Sequence, residues 1–194
     1  MKKSRLEAFS DGVLAIIITI MVLELKVPHE PTLAALWPLW PTILCYLMSF
    51  VFIGIYWNNH HHLWQVVESV NGTVLWANLH LLFWLSLVPF VTAWMGENHF
   101  ASVPVALYGV VLLGSGCAYY ILVRSLLASH ARDSLLARAM GSDFKGRISI
   151  WIYLLAIGVA FAWPLLAGLL YAAVAVMWLV PDRRIEKVLA PSAG

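Results

Sequence analysis

Apolar runs of near-membrane length are the feature that most constrains how this chain can fold. Six stretches approach the length that a helix needs to cross a hydrocarbon core, and few charged residues interrupt them. Only 11% of the residues are charged, whereas soluble domains are roughly one quarter charged. The sequence therefore predicts an all-α integral membrane protein. The predicted spans are Phe9–Leu25, Trp37–Trp57, Val74–Trp94, Pro104–Val123, Ile148–Trp163 and Pro164–Val180.

The last two predicted spans are short and meet at Trp163–Pro164. Proline removes a helix hydrogen bond and suits the first turn of a helix. We therefore predict two helices joined by a tight hairpin. The alternative is one bent helix, which would leave the chain with five spans.

The positions of the basic residues test this span count independently. Lysine and arginine accumulate on the cytoplasmic side of short loops. With six spans, every Lys and Arg except Lys26 falls on one side, so both termini are predicted to be cytoplasmic. Five spans would put the C-terminal basic group outside. The three groups are Lys2, Lys3 and Arg5; Arg124, Arg132, Arg138, Lys145 and Arg147; and Arg183, Arg184 and Lys187.

No extramembrane stretch is long enough for a second domain. Residues 1–190 are predicted to form a single six-helix transmembrane domain, followed by a short tail at 191–194. The net charge of +2 is small and scattered, which argues against nucleic-acid binding. No nucleophile, metal-ligand set or carboxylate pair converges in the sequence, so we expect neither an enzyme nor a cofactor.

Most of the 10 tryptophans lie near predicted span ends. Amphipathic indole rings are common at membrane interfaces, so we expect these residues to act mainly as interfacial anchors. They are Trp37, Trp40, Trp57, Trp64, Trp76, Trp94, Trp151, Trp163 and Trp178.

Asp11 stands at the start of an otherwise apolar span. An ionisable group placed deep in hydrocarbon costs about 2.5–3.5 kcal/mol on insertion scales, so it needs a partner or water. One interpretation is that Ser10 or Asp11 caps the helix N-terminus. The other is that Asp11 belongs to a buried polar network between helices.

One stripe of the first span combines large aliphatic side chains with a glycine and a hydroxyl. At the spacing of a helix, its members lie within a face roughly 100° wide. Close helix packing around small residues would produce this pattern, and so would a pore lining. Spacing alone leaves both open. The stripe consists of Gly12, Ile16, Thr19, Ile20 and Leu23.

Three consecutive histidines, His60, His61 and His62, end the second span. Successive helical residues point about 100° apart, so these side chains cannot all ligate one metal. We expect one or two to turn inward as hydrogen-bonding groups. In the third span, Asn78 and His80 are expected to bond across helices, and Pro89 to mark a kink.

Arg5, Phe9, Ser10 and Asp11 form the arrangement R-x-x-x-F-S-D at the head of the first span. This arrangement resembles the signature of the transmembrane protein 175 family of potassium channels. Three further stretches, LELKVP, YWNNHHHL and NLHLLFWLSLVPF, resemble the prokaryotic branch of that family. The six-span outline extends the resemblance over nearly the whole chain.

The resemblance implies a homotetramer, because the animal members carry two such units per chain and this chain has one. It implies a pore lined by the first helix of each subunit, with an aliphatic constriction at Ile16, Ile20 and Leu23 and a hydroxyl at Thr19. Some members have a serine where this chain has Ala15, so only modest selectivity for potassium is expected. The resemblance also implies a polar network beside the pore helix, at Arg5, Phe9, Ser10, Asp11, Trp57, Asn59, His60 and His61.

These expectations define a leak-like potassium channel in the inner membrane of a bacterium. Potassium is its permeant ion, its partners are other copies of itself and membrane lipids, and its hydrophobic constriction is both filter and gate. An alternative is a proton-coupled secondary transporter that uses Asp11, His60 and His80. Such carriers usually show paired repeats and broken helices, and the sequence shows neither. A non-conducting assembly or a lipid-binding protein is a third reading.

Overall fold

In the computed structural model of the protein, residues 3–131, 134, 136 and 144–179 are described, and the regular elements among them are helical. The basic residues Arg132, Arg138, Arg183, Arg184 and Lys187 and the tail 191–194 lie outside the described residues. A 3₁₀ helix at Leu33–Leu39 runs directly into the second helix. The helices are α1 (Lys3–Leu23), α2 (Trp40–Gln65), α3 (Gly72–Ser86), α4 (Val88–Glu97), α5 (Ser102–Ser129), α6 (Phe144–Val159) and α7 (Pro164–Leu179).

Four helical segments are long and apolar enough to cross a membrane: Lys3–Leu23, Leu33–Gln65, Gly72–Glu97 and Ser102–Ser129. The segment Gly72–Glu97 joins α3 to α4, and Pro89 in the first turn of α4 marks the bend between them. The predicted kink is therefore confirmed. Helices α6 and α7 have 16 residues each, or about 24 Å, which is shorter than a hydrocarbon core of about 30 Å.

Helices α6 and α7 form the hairpin that the sequence predicted. A turn over residues 160–163 separates them. The indole N–H of Trp178, at the end of α7, donates to Ser149 Oγ near the start of α6 at 2.9 Å. Lys145 Nζ likewise donates to the Met177 carbonyl at 3.2 Å. Since the start of one helix lies beside the end of the other, the alternative of one bent helix is wrong.

Contacts between helix ends show which termini share a side of the bundle. Lys3 Nζ donates to the carbonyls of Trp64 at 2.6 Å and Val67 at 3.0 Å, so the start of α1 lies against the end of α2. At the opposite end, Lys26 forms an ion pair with Glu97 at 2.6 Å, which joins the end of α1 to the end of α4.

The end of α5 lies on the same side as Lys3. His130, which follows α5, accepts hydrogen bonds from the backbone N–H groups of Glu68 and Ser69 in the α2–α3 loop. Helices α2 and α5 therefore run in the same direction, opposite to α1, as the charge pattern predicted.

Small and hydroxyl residues let the central helices pack closely. A Cβ added at Gly109 would collide with the ring of Tyr171, and one added at Gly114 would collide with the ring of Trp84. Between α2, α4 and α5, the buried Ser49 hydroxyl hydrogen-bonds Thr92 Oγ1 at 2.7 Å and Tyr108 Oη at 2.9 Å. Hydroxyl groups of this kind join helices where no water is available.

Candidate functional site

Helix α1 presents two different faces. Its buried face packs against α2, α3 and α4 and carries Leu6, Ser10, Leu14, Ile17 and Met21. The predicted stripe lies on the other face, which no described part of the chain covers: Ile16 is 58% exposed and Leu23 is 79% exposed. The exposed face also carries Phe9, Gly12, Thr19 and Ile20.

Thr19 places a hydroxyl oxygen in the middle of this apolar face. Its Oγ1 lies 2.9 Å from the Ile16 carbonyl and 3.1 Å from the Ala15 carbonyl, both one turn back on α1. The hydroxyl hydrogen is therefore donated to the helix backbone. The oxygen lone pairs are left on the exposed side, where they can accept from water or contact a cation.

A buried chain of hydrogen bonds runs from α2 through α3 to α1. Ser10 Oγ donates to the Leu6 carbonyl at 2.9 Å, so its oxygen accepts from Asn78 Nδ2, also at 2.9 Å. The Asn78 oxygen then faces His60 Nε2 at 2.8 Å and accepts its hydrogen. Each of these side chains is buried, so the bonds are protected from water.

Trp64 completes the chain. Its indole nitrogen lies 3.1 Å from His60 Nδ1 and 2.8 Å from Nε2. Because Nε2 carries the hydrogen that goes to Asn78, Nδ1 is the nitrogen able to accept the indole hydrogen. The donors therefore point in one direction, from Trp64 through His60 and Asn78 to Ser10. This order requires a hydrogen on His60 Nε2 and none on Nδ1.

A second polar group lies on the flank of α1, nearer to its exposed face. The indole N–H of Trp57 donates to Asp11 Oδ1 at 3.1 Å. One turn nearer the start of α1 and the end of α2, His61 Nδ1 lies 3.4 Å from Glu7 Oε1. His61 also stacks on Trp57, with ring centroids 6.1 Å apart. Asp11 therefore has a hydrogen-bond partner on α2. This contact fits the interpretation that Asp11 belongs to a polar network between helices.

Other residues of the expected network lie elsewhere. Arg5 and Phe9 are on the exposed face of α1, and within the described part of the chain Arg5 has no hydrogen bond or ion pair. Asn59 is turned away from Asp11: its Nδ2 donates to the Ile55 carbonyl at 2.8 Å, and its backbone carbonyl accepts from Tyr119 Oη at 3.3 Å.

The histidines diverge as helix geometry requires. His60 bonds Asn78, His61 faces Glu7, and His62 lies 3.4 Å from Gln65 Oε1. His80 is exposed and accepts from Trp84 Nε1 at 3.0 Å. Over the described ranges, no three His, Cys, Asp or Glu side chains are placed to hold a metal ion.

Three contributors were not identified from the sequence. Trp64 was expected to be an interfacial anchor, and this was wrong, because the residue is 0% exposed in the core. Its spacing of four residues from His60 was the available signal, since such residues meet on one helix face. Lys3 holds the end of α2. Glu24 is exposed directly beyond Leu23, at the far end of the stripe.

The far end of α1 carries mixed charge. The Glu97 carboxylate, which accepts a hydrogen bond from Lys26 and attracts its positive charge, raises the pKa of Lys26, and Glu24 adds to this attraction. Lys26 is therefore neutralised locally by Glu97. The exposed Glu24 carboxylate leaves this end of the stripe acidic.

Comparisons with known proteins indicate one family of channels, and the names of its members give either potassium or protons as the ion conducted. The family model described as endosomal/lysosomal potassium channel TMEM175 matches residues 5–89. A potassium channel from Chryseobacterium sp. (strain P1-3) is 57% identical over 97% of this chain and 98% of its own length. The endosomal/lysosomal proton channel TMEM175 of Mus musculus is 31% identical over 54% of this chain and 23% of its own length.

A solved structure also matches nearly the whole fold. The crystal structure of a lysosomal potassium-selective channel TMEM175 homolog from Chamaesiphon minutus superposes with a TM-score of 0.77. It is 28% identical in sequence, and the match covers 97% of this chain and 98% of that one.

Proposed function

Because the chain belongs to the TMEM175 family of potassium channels, we propose that it conducts potassium passively through a pore formed by the α1 helices of four subunits. The observation that carries this proposal is the exposed face of α1. In a family of channels, a helix whose regular stripe is left uncovered by its own chain is the natural candidate for the lining of a shared pathway.

The polar groups on this face favour a pore over lipid contact. Thr19 carries a hydroxyl in mid-helix, Arg5 lies at one end, and Glu24 lies just beyond the other. Ionisable groups in membrane helices usually face the bundle interior or a water-filled cavity. A lipid-facing α1 would leave the exposed Thr19 oxygen in hydrocarbon, whereas a water-filled pathway gives it a polar environment and places Arg5 and Glu24 at its two ends.

The constriction works by partial dehydration of the ion. Ile16, Ile20 and Leu23 span about 10 Å along the helix axis at 1.5 Å per residue. Carbonyl filters need a loop of the TVGYG kind, which the sequence lacks. Four copies of the aliphatic stripe instead strip water from the ion. Potassium holds its water less tightly than sodium, so the free-energy cost of removing part of that water on entry is smaller for potassium.

Thr19 makes the dehydration less costly. Its hydroxyl hydrogen is committed to the helix backbone, so its oxygen replaces part of the lost water. One hydroxyl ring gives modest selectivity for potassium. The same aliphatic ring closes the pathway when it dewets, so filter and gate are one element. Since no span carries a repeat of arginines, the conductance is leak-like rather than strongly voltage-gated.

The polar contacts hold α1 in the orientation that the pore requires. The chain from Trp64 to Ser10 fixes the buried face of α1, and the pair of Asp11 with Trp57 fixes its flank. Arg5, which is exposed on α1, contacts a neighbouring subunit in the tetramer. Both termini lie in the cytoplasm of a bacterial cell, and the chain crosses its inner membrane six times, with α3 and α4 together forming one span.

The test is Ile16→Asn in proteoliposomes, with potassium and sodium flux measured under opposing gradients. An amide at the constriction lowers the dehydration barrier, so flux is expected to rise and the potassium to sodium ratio to fall. Ile121→Asn is the matched control, because Ile121 is also an exposed isoleucine but lies on α5. Unchanged flux and ratio in Ile16→Asn would remove Ile16 from the pathway.

The geometry supports a proton-coupled carrier less well than it supports a channel. His60 is occupied by Asn78 and Trp64, while His80 is exposed and bonded to Trp84. Within residues 3–131, no hydrogen bond joins His80 to His60 or Asp11. A saturable flux driven by a proton gradient would favour the carrier over the channel.

A further inference from the structure

A cavity of about 300 Å³ lies between α2, α5, α6 and α7, and none of the residues that line it belongs to α1. Its walls are rich in aromatic side chains, among them Phe52, Tyr119 and Trp178. Ligand pockets range from about 300 to 1,000 Å³ and combine apolar walls with a few polar groups. The cavity therefore has the size of a small ligand site or of part of a larger ligand.

Two tyrosine hydroxyls in this cavity have no hydrogen-bond partner in the described part of the chain, those of Tyr56 and Tyr153. Tyr153 is only 3% exposed. Elsewhere in the core, Tyr108 bonds Ser49 and Tyr171 donates to the Val105 carbonyl at 3.2 Å. Buried tyrosine hydroxyls usually find a partner, and no buried side-chain oxygen of the described residues lacks one, so these two hydroxyls face the open cavity and are available to a ligand with acceptor oxygens.

A positive charge stands at the same cavity. Arg147, which lines it near the start of α6, is exposed and has neither an ion pair nor a hydrogen bond with any described residue. Its neighbour Lys145 is engaged with the Met177 carbonyl and the Trp178 ring. The guanidinium of Arg147 is thus positioned for an anion, and its planar set of donors matches a phosphate.

The end of the bundle that holds Arg147 also holds Lys3 and the end of α2. Asn59, near that end of α2, lines the cavity together with Arg147. This is the end where the basic residues gather, and basic pockets between helices on the cytoplasmic side of a membrane bind anionic lipid head groups. An aromatic cavity that opens beside a basic residue at this level fits an amphiphile from that leaflet.

We propose that the cavity binds one acyl chain of an anionic phospholipid, with the phosphate on Arg147 and the chain between Phe52 and Tyr153. The hydroxyls of Tyr56 and Tyr153 donate to oxygens of the glycerol ester region. The small volume admits part of one chain and excludes a whole lipid. The site is separate from α1, so it stands whether or not the proposed pore does.

Gly116 offers a way to fill the cavity without disturbing its walls. A Cβ at this position would lie 3.9 Å from Tyr153 and from Tyr56, at ordinary contact distance. Gly116→Ala should therefore leave the cavity open, whereas Gly116→Leu should place a branched side chain where the acyl chain would lie. The pair forms a matched control and test.

The probe is phosphatidylglycerol with a diazirine in one acyl chain, added to the full-length protein in phosphatidylcholine nanodiscs. Photolabelling is mapped by peptide mass spectrometry. We expect labels on the cavity segments of α2 and α6 and several-fold less labelling from a diazirine phosphatidylcholine. Arg147→Gln should lower labelling by roughly fivefold, the value of one basic residue near a lipid surface. Gly116→Leu should abolish it, and Gly116→Ala should preserve it.

Three outcomes would overturn the proposal. Equal labelling by both lipids would show that the net negative charge of the head group is not recognised, because phosphatidylcholine carries the same phosphate but no net charge. Labelling that survives Gly116→Leu, in protein that elutes as wild type on size exclusion, would place the lipid elsewhere. Loss of labelling on adding inorganic phosphate alone would indicate a soluble-anion site. Absence of labelling of the cavity segments by either lipid would contradict the proposal as well.

Discussion

The strongest test of the buried hydrogen-bond chain is Asn78→Leu. Asn78 is fully buried and bonds both Ser10 and His60. Side-chain hydrogen bonds between membrane helices contribute about 0.6 kcal/mol each on average. The substitution also leaves the His60 Nε2–H without an acceptor, and an unsatisfied buried group costs about 1–3 kcal/mol. Since Ser10 keeps its bond to Leu6, the expected loss of stability is about 3 kcal/mol.

The measurement is thermal denaturation of the detergent-solubilised protein, followed by size exclusion after heating. For a domain of this length, about 3 kcal/mol corresponds to a Tm lower by roughly 6–12 °C. The control is Asn98→Leu, the same substitution at an exposed position at the end of α4. Exposed substitutions usually change stability by less than about 0.5 kcal/mol.

Equal Tm values for Asn78→Leu and Asn98→Leu would refute the network as a determinant of stability. A double-mutant cycle sharpens the test. Ser10 and Asn78 share a hydrogen bond. The double variant Ser10→Ala with Asn78→Leu should therefore lose less stability than the sum of the losses in the two single variants. Additive losses would mean that the two residues act independently.

Two further predictions concern the pathway itself. Thr19→Val keeps the shape of the side chain but removes the oxygen from the exposed face of α1. The potassium to sodium permeability ratio should therefore fall in reversal-potential measurements. An unchanged ratio would argue against a role for the hydroxyl. Glu24→Gln should reduce potassium conductance at low ionic strength, where a ring of carboxylates concentrates cations. The reduction should disappear near 1 M salt, where the Debye length is about 3 Å; a reduction that is independent of salt would mean that Glu24 acts through structure.

The histidine triplet shows where sequence reasoning stopped. Helix periodicity required His60, His61 and His62 to point in different directions, and they do. It did not indicate which of them would face Asn78. That choice depends on the rotation of α2 about its own axis, which is set by packing against α1 and α4. Trp64 was misjudged for the same reason, because a tryptophan near a span end is interfacial on one face of a helix and buried on another.

The cavity beside Arg147 could not be anticipated either. Its residues come from four helices, and α2, α5 and the α6–α7 hairpin are far apart in sequence, so the lining forms no local motif. The core tyrosines and the cavity tyrosines have similar apolar neighbours along the chain. Only the assembled bundle shows that the Tyr108 hydroxyl hydrogen-bonds Ser49, whereas the Tyr153 hydroxyl faces the open space of the cavity.

The sequence by itself determined the helical class, the bend at Pro89, the hairpin before Pro164 and the aliphatic stripe on α1, whereas the exposure of that stripe came from the tertiary structure. These features depend on hydropathy, proline geometry and the helical repeat, all of which act over neighbouring residues. Tertiary structure alone decided that His60 bonds Asn78, that Asn59 turns away from Asp11, and that four helices leave a cavity. Each of these depends on how a helix is rotated against distant neighbours, and a turn of about 100° moves a side chain from one environment to another.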